Sequence, residues 1–154
     1  MNAANATNAS DTIVKEITID APAAKIFAAL TEPEQLPQWW GEEGKYQVER
    51  MEADLRVGGR WRTTGIASDG RQFVVEGAYR EIDPPRALAY TWAHNWGDGE
   101  RAETLVRFDL SERNGSTLVK VTHSGFADAQ SRDDHDRGWA IVLGWLNGFV
   151  TKKV

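Results

Sequence analysis

Cysteine is absent from the chain. That removes disulfide staples, thiolate nucleophiles and thiolate metal sites, and it suits a reducing compartment. No run of lysine and arginine is present, and the formal net charge is -5. A phosphate-backbone partner, which calls for a basic stripe, is therefore not expected, and nucleic acid drops out. No apolar run approaches the length needed to span a bilayer, so no membrane insertion is expected. The opening eleven residues, MNAANATNASD, lack the basic and apolar regions of a secretory signal. A cytoplasmic protein is the expectation. Residues 1–11 offer little apolar surface to set against ordering entropy and read as a disordered tail, with residues 12–154 forming a single domain.

Within that domain the apolar pattern alternates between strand and helical periods. Ile13, Ile17 and Ile19 fall on one parity, the signature of a half-buried strand. Asp20 then offers an N-cap and Pro22 suits a first helical turn, followed by the narrow stripe Ile26, Phe27 and Leu30, ending near Thr31. Pro33 can open a second helical turn that Pro37 limits. The middle of the chain is divided by turn chemistry at Gly58-Gly59, Asp69-Gly70, Asp83-Pro84-Pro85, Gly97-Asp98-Gly99 and Asn114-Gly115. Between these turns one parity carries Phe73, Val75 and Tyr79; Leu88, Tyr90 and Trp92; Val106, Phe108 and Leu110; and Val119, Val121 and His123. About seven strands result, joined by connections short enough for antiparallel hairpins.

The last segment recurs at helical spacing through Trp139, Val142, Leu143, Leu146, Phe149 and Val150, widened by Ile141 and Trp145. A mostly buried helix is expected, with Gly138, Gly144 and Gly148 retained for close approach or space. The fold class is α+β of the helix-grip kind: a curved antiparallel sheet wrapped around a long C-terminal helix, with two short helices after the first strand.

Seven tryptophans, three tyrosines and five phenylalanines are the most informative feature. Several face one interior that already has a helix to cover it, and bulky rings that interdigitate imperfectly leave an apolar cleft. Phe73, Tyr79, Tyr90, Trp92 and Phe108 are candidate ligand contacts on the sheet, Trp139 on the helix, and Trp96 in the Gly- and Asp-rich loop at the cleft mouth. His123 continues an inward parity and could hydrogen-bond a ligand, act as a base, or be a core histidine satisfied by a neighbour. Asp133, Asp134, His135 and Asp136 point in successive directions on a helix and form a solvated first turn, not a metal site. Ser124 lacks the G-x-S-x-G context of a hydrolase, and Gly58-Gly59 lacks that of a phosphate loop. No catalytic set, metal or cofactor is expected.

Eight segments together form a specific pattern: Asp20-Ala21-Pro22, Trp39-Trp40-Gly41, Asp54-Leu55-Arg56-Val57-Gly58-Gly59-Arg60-Trp61, Asp69-Gly70, Gly77 with Tyr79, Pro84-Pro85 before Leu88, His123-Ser124-Gly125-Phe126 and Gly138-Trp139. Through them residues 12–150 resemble the family of the C-terminal domain of the heat-shock-protein-ninety ATPase activator, in the START-like and birch-pollen-allergen-like superfamily. The resemblance implies a helix-grip fold with a cavity between sheet and long helix, and members of that superfamily commonly hold hydrophobic molecules. It adds Trp39, Trp40, Trp61 and Phe126 to the candidate contacts. The activator carries a further N-terminal domain where this chain has a short polar stretch. Binding of a small hydrophobic or aromatic molecule is thus the leading expectation, with a chaperone-linked stress role, a cyclase- or hydrolase-like activity and a homodimer as alternatives.

Overall fold

The computed structural model describes residues 11–42, 46–95 and 103–152. The expected tail, Asp11 apart, and the loop carrying Trp96 and Gly97-Asp98-Gly99 lie outside the described residues. Strand β1 (Thr12–Ile19) is followed by helices α1 (Ala23–Thr31) and α2 (Leu36–Trp39). Strands β2 (Gly41–Glu42), β3 (Tyr46–Ala53), β4 (Arg60–Ala67), β5 (Gln72–Asp83), β6 (Ala87–Asn95), β7 (Thr104–Arg113) and β8 (Ser116–Ser124) then precede helix α3 (Ala129–Val150).

All pairings are antiparallel, in the order β1-β8-β7-β6-β5-β4-β3-β2, and the seven full-length strands curl into a half-barrel. From β2 onward each strand pairs with its successor; β1 alone pairs out of sequence, with β8. The chain must therefore cross from one sheet edge to the other after β1, and α1 and α2 make that crossing over the concave face. Helix α3 then packs against β1, α1 and α2. Inward parity is as expected on β5 to β8: Phe73, Val75, Tyr79, Leu88, Val106, Phe108, Val119, Val121 and His123 are buried. At Asn114-Gly115 both residues have positive φ, 55° and 83°, and Arg113 pairs with Ser116. This is the two-residue turn whose twist matches that of the flanking strands.

Three local expectations are corrected. Asp20 does not cap α1; it accepts a hydrogen bond from Ser116 Oγ at 3.0 Å, while the Ala23 amide donates to Glu112 Oε1 at 2.8 Å. The capping position falls at Pro22, which has no acceptor side chain, so a carboxylate from β7 takes over. Pro37 opens α2 instead of limiting it, since proline at the first helical positions forfeits no hydrogen bond. Helix α3 is less enclosed than expected: Trp139, Leu143, Leu146 and Val150 are buried, but Ile141 is 55% exposed. The crossing helices share the concave face, so α3 covers only part of it and keeps one side open.

The glycines divide accordingly. A Cβ on Gly65 would overlap the Gln47 carbonyl oxygen and the Phe73 ring, whereas one on Gly138, Gly144 or Gly148 meets nothing within 4 Å. Close approach therefore does not explain the helical glycines. Gly144→Ala and Gly148→Ala should each raise the urea-unfolding stability by up to about 1 kcal/mol, and Gly65→Ala should lower it by about 1 to 3 kcal/mol through overpacking. Destabilisation by the helical alanines would show that the outer face of α3 is covered in solution.

Candidate ligand-binding site

Strand β8 delivers His123, with no exposed surface, against the first half of α3. Trp139 Nε1 donates to His123 Nδ1 at 2.9 Å, and an indole can only donate, so Nδ1 must be the unprotonated nitrogen. In the neutral ring Nε2 then carries the proton and donates to Thr104 Oγ1 at 2.7 Å. The Thr104 hydroxyl donates in turn to the Trp92 carbonyl oxygen at 3.1 Å. The chain of bonds runs from α3 through β8 and β7 to β6 with every proton placed. Both ring nitrogens of His123 are engaged in it, the arrangement of a core histidine satisfied by its neighbours.

Around this tie the aromatic side chains enclose two spaces. An inner chamber of about 20 Å³ is lined by Leu30, Leu36, Trp40, Tyr46, Val48, Met51, Trp61, Thr63, Tyr79, Tyr90 and Trp92. An open groove of about 570 Å³ is lined by Trp40, Tyr46 and Trp92 on one side and by Ser131, Asp134, His135, Gly138, Trp139, Ile141, Val142 and Trp145 of α3 on the other. Trp40, Tyr46 and Trp92 border both. Trp40 stacks on Trp92 at 5.8 Å and 29°, and meets Trp139 edge-on at 5.8 Å and 70°. Trp61 meets Tyr90 edge-on at 5.1 Å. Tilted and edge-on rings are individually favourable but do not tile, which is why space remains between them.

The chamber wall is apolar with polar exceptions. Trp61 Nε1, Tyr79 Oη and Trp92 Nε1 are buried without a hydrogen-bond partner among the described residues. Burial, with a smaller contribution from the Asp54 charge, pushes the Tyr79 phenol up to about 12. Burial alone pushes Tyr46 up, and burial followed by the influence of Tyr79 does the same for Tyr90.

The remaining candidates separate by position. Trp39 is buried with its Nε1 donating to the Ala29 carbonyl at 2.9 Å; it ties α2 to α1 and borders neither space. Phe73 stacks on Tyr46 at 4.4 Å and 8°, and Phe108 meets Trp139 edge-on at 5.7 Å; both are core. Phe126 packs on His123 at 4.5 Å and on His135 at 5.0 Å. Trp96 lies outside the described residues.

Sequence reasoning missed Tyr46, which stands at the start of a strand whose parity was not read, and His135. The helix begins at Ala129, where Asp128 accepts from Ser131 N at 2.8 Å, so residues 133–136 lie beyond its first turn. His135 is half-buried in the groove wall, its Nδ1 donating to Ser131 O at 2.8 Å, and Asp136 pairs with Lys15 at 3.3 Å. Its i+4 relation to Trp139 on the helix was the available signal. Among the described residues no group of three or more side chains could hold a metal ion.

A curled antiparallel sheet gripping a long C-terminal helix, with an aromatic cavity between them, defines a helix-grip protein of the START-like class. The chain belongs to the family described as activator of Hsp90 ATPase homolog 1-like protein, whose family model matches residues 20–150. Among solved structures it is similar to a protein from Chromobacterium violaceum, with 22% identity, 93% of this chain and 99% of that chain covered, and a TM-score of 0.77. It is also similar to a protein from Rhizobium leguminosarum, with 27% identity, coverages of 92% and 95%, and a TM-score of 0.76. DynU16, described as a protein in the dynemicin biosynthetic locus, aligns at 19% identity and a TM-score of 0.73 over 92% of this chain and 48% of its own. Among curated proteins none matches the chain.

Two outcomes test the geometry. His123→Ala leaves the Trp139 indole and the Thr104 hydroxyl without their shared partner, and urea unfolding should show a loss of about 3 kcal/mol or more. A loss below about 1 kcal/mol would mean that the bond chain is not formed in solution. The tyrosines set an alkaline limit: with the folded Tyr79 phenol raised above the ordinary value near 10, the unfolded chain releases its proton first. Stability should be constant with respect to this group below pH 10 and fall between about 10 and 12. Absorbance at about 295 nm should show phenolate appearing together with unfolding, and native-state titration near pH 10 would contradict the placement.

Proposed function

We propose that this protein binds a small hydrophobic, aromatic molecule in the groove between the sheet and α3. The observation that supports it is the groove itself: about 570 Å³, walled by Trp40, Trp92, Trp139, Trp145 and Tyr46. This is the size range of small-molecule sites. Polar groups are few and sit along α3, at Ser131, Asp134 and His135. Common hydrophobic-ligand binding within the superfamily, and the placing of DynU16 in a biosynthetic locus, support the same reading. Trp40, Trp92 and Trp139 would stack on the ligand's rings, while Trp39, Phe73, Phe108 and His123 would hold the walls in place.

A second reading, a chaperone-linked role, draws on the family description and on Leu55 and Val57, which are 45% and 63% exposed between β3 and β4. Its test is whether the chain accelerates ATP hydrolysis by the chaperone and whether Leu55→Ser with Val57→Ser abolishes that effect. Among the described residues no helix is long and apolar enough to cross a membrane, and we place the protein's work in the cytoplasm.

The groove is tested by filling it. Gly138 borders it, and a Cβ there meets nothing within 4 Å, so Gly138→Phe adds a ring to the groove without disturbing the core. Anilinonaphthalene sulfonate should bind the wild type with enhanced emission and bind Gly138→Phe at least about tenfold more weakly, a difference of about 1.4 kcal/mol. No binding to either protein, or equal binding to both, would refute the groove as the site.

A further inference from the structure

The groove accounts for the apolar part of a ligand but not for the three polar atoms behind its wall. Trp61 and Tyr79 are 5% and 2% exposed, and among the described residues neither they nor the Trp92 indole nitrogen has a partner for its N–H or O–H. Leaving such groups unpaired costs about 1 to 3 kcal/mol each, so a native chain seldom keeps three around one space without a use for them. An indole cannot accept, so Trp61 and Trp92 cannot satisfy each other. What satisfies both must bring lone pairs.

The chamber restricts the partner further. At about 20 Å³ it admits a single oxygen-sized group and no ring. Among the described residues no arginine, lysine or histidine lines it, and the Asp54 charge acts on Tyr79 from nearby. An anionic head would therefore be desolvated without a counter-charge, and a carboxylate or phenolate is disfavoured. The chamber and the groove are neighbours, with Trp40, Tyr46 and Trp92 bordering both.

Resting on the ligand-binding reading above, we propose that the chamber is an oxygen-recognition subsite: it takes the neutral carbonyl oxygen of an aromatic ketone or quinone whose rings lie in the groove, with Trp61 Nε1, Trp92 Nε1 and Tyr79 Oη as donors. The groove supplies affinity for any flat apolar molecule, and the chamber selects those carrying a carbonyl at one end. Tyr79 is the residue best suited to a test, because removing its hydroxyl leaves the ring and the core intact.

The experiment compares 2-acetylnaphthalene with 2-isopropenylnaphthalene, which has the same shape with a methylene group in place of the oxygen, by calorimetric titration of the full chain. The ketone should bind the wild type at least about fivefold tighter, although water solvates it better. In Tyr79→Phe, and independently in Trp61→Phe, that preference should fall at least about threefold while the hydrocarbon's affinity is unchanged. The carbonyl stretch of the bound ketone should lie below its position in hexane and move back up in Tyr79→Phe. Equal or weaker binding of the ketone, or a preference that both variants retain, overturns the subsite while leaving hydrophobic binding in the groove standing. Failure of both compounds to bind overturns the subsite together with the function on which it rests.

Discussion

The hydrogen-bond chain through His123 ties the first half of α3 to the sheet beside the cavity. Apolar contacts would hold α3 against the sheet over a range of rotations and shifts. A bond from the Trp139 indole to one imidazole nitrogen, with the other nitrogen held by Thr104, admits one. It fixes Trp139 where its ring closes the groove against Trp40 and Trp92. Because the indole donates only, the tautomer of the histidine and the direction of the threonine hydroxyl follow, ending at a backbone carbonyl of β6. A buried polar chain of this kind is costly when incomplete and specifying when complete.

The tryptophans serve two purposes that their chemistry allows them to combine. Their area supplies burial, and their edge-on and tilted contacts are favourable without filling space. The core below them, built on Ile13, Ile19, Val119, Val121 and Leu146, is aliphatic and closely packed. The cavity lies where the large rings meet, at the end of the sheet that α3 covers with its first half. Each indole also carries one N–H, and whether that group is satisfied separates structural from available tryptophans. Trp39 and Trp139 are bonded to protein acceptors; among the described residues Trp61 and Trp92 have none.

Much of the architecture was legible from the chain because strand and helix periodicity reports which side of its own backbone a residue occupies. Ile13 and Ile19 on β1, the inward sets on β5 to β8, the Asn114-Gly115 turn and the helical stripe from Trp139 to Val150 all follow from local pattern and turn chemistry. The family pattern legible in eight short segments pointed to the same fold. The aromatic interior was legible for the same reason, since parity placed Tyr79, Tyr90 and Trp92 on one face.

Parity cannot say what a side chain meets on that face. Glu112 reaches a helix end 89 residues away in sequence, and His123 finds its partners 16 and 19 residues away on different elements. Those pairings exist only once α1 and α2 have crossed the sheet and α3 has settled beside them. The same crossing left Ile141 exposed and brought His135 into the groove, against the reading of both from the helical pattern alone. By itself the sequence determined which residues turn inward and where the chain bends. Only the tertiary structure decided which inward donors are satisfied, because hydrogen bonds need atoms within about 3 Å and at defined angles, and distant segments acquire such geometry only by packing.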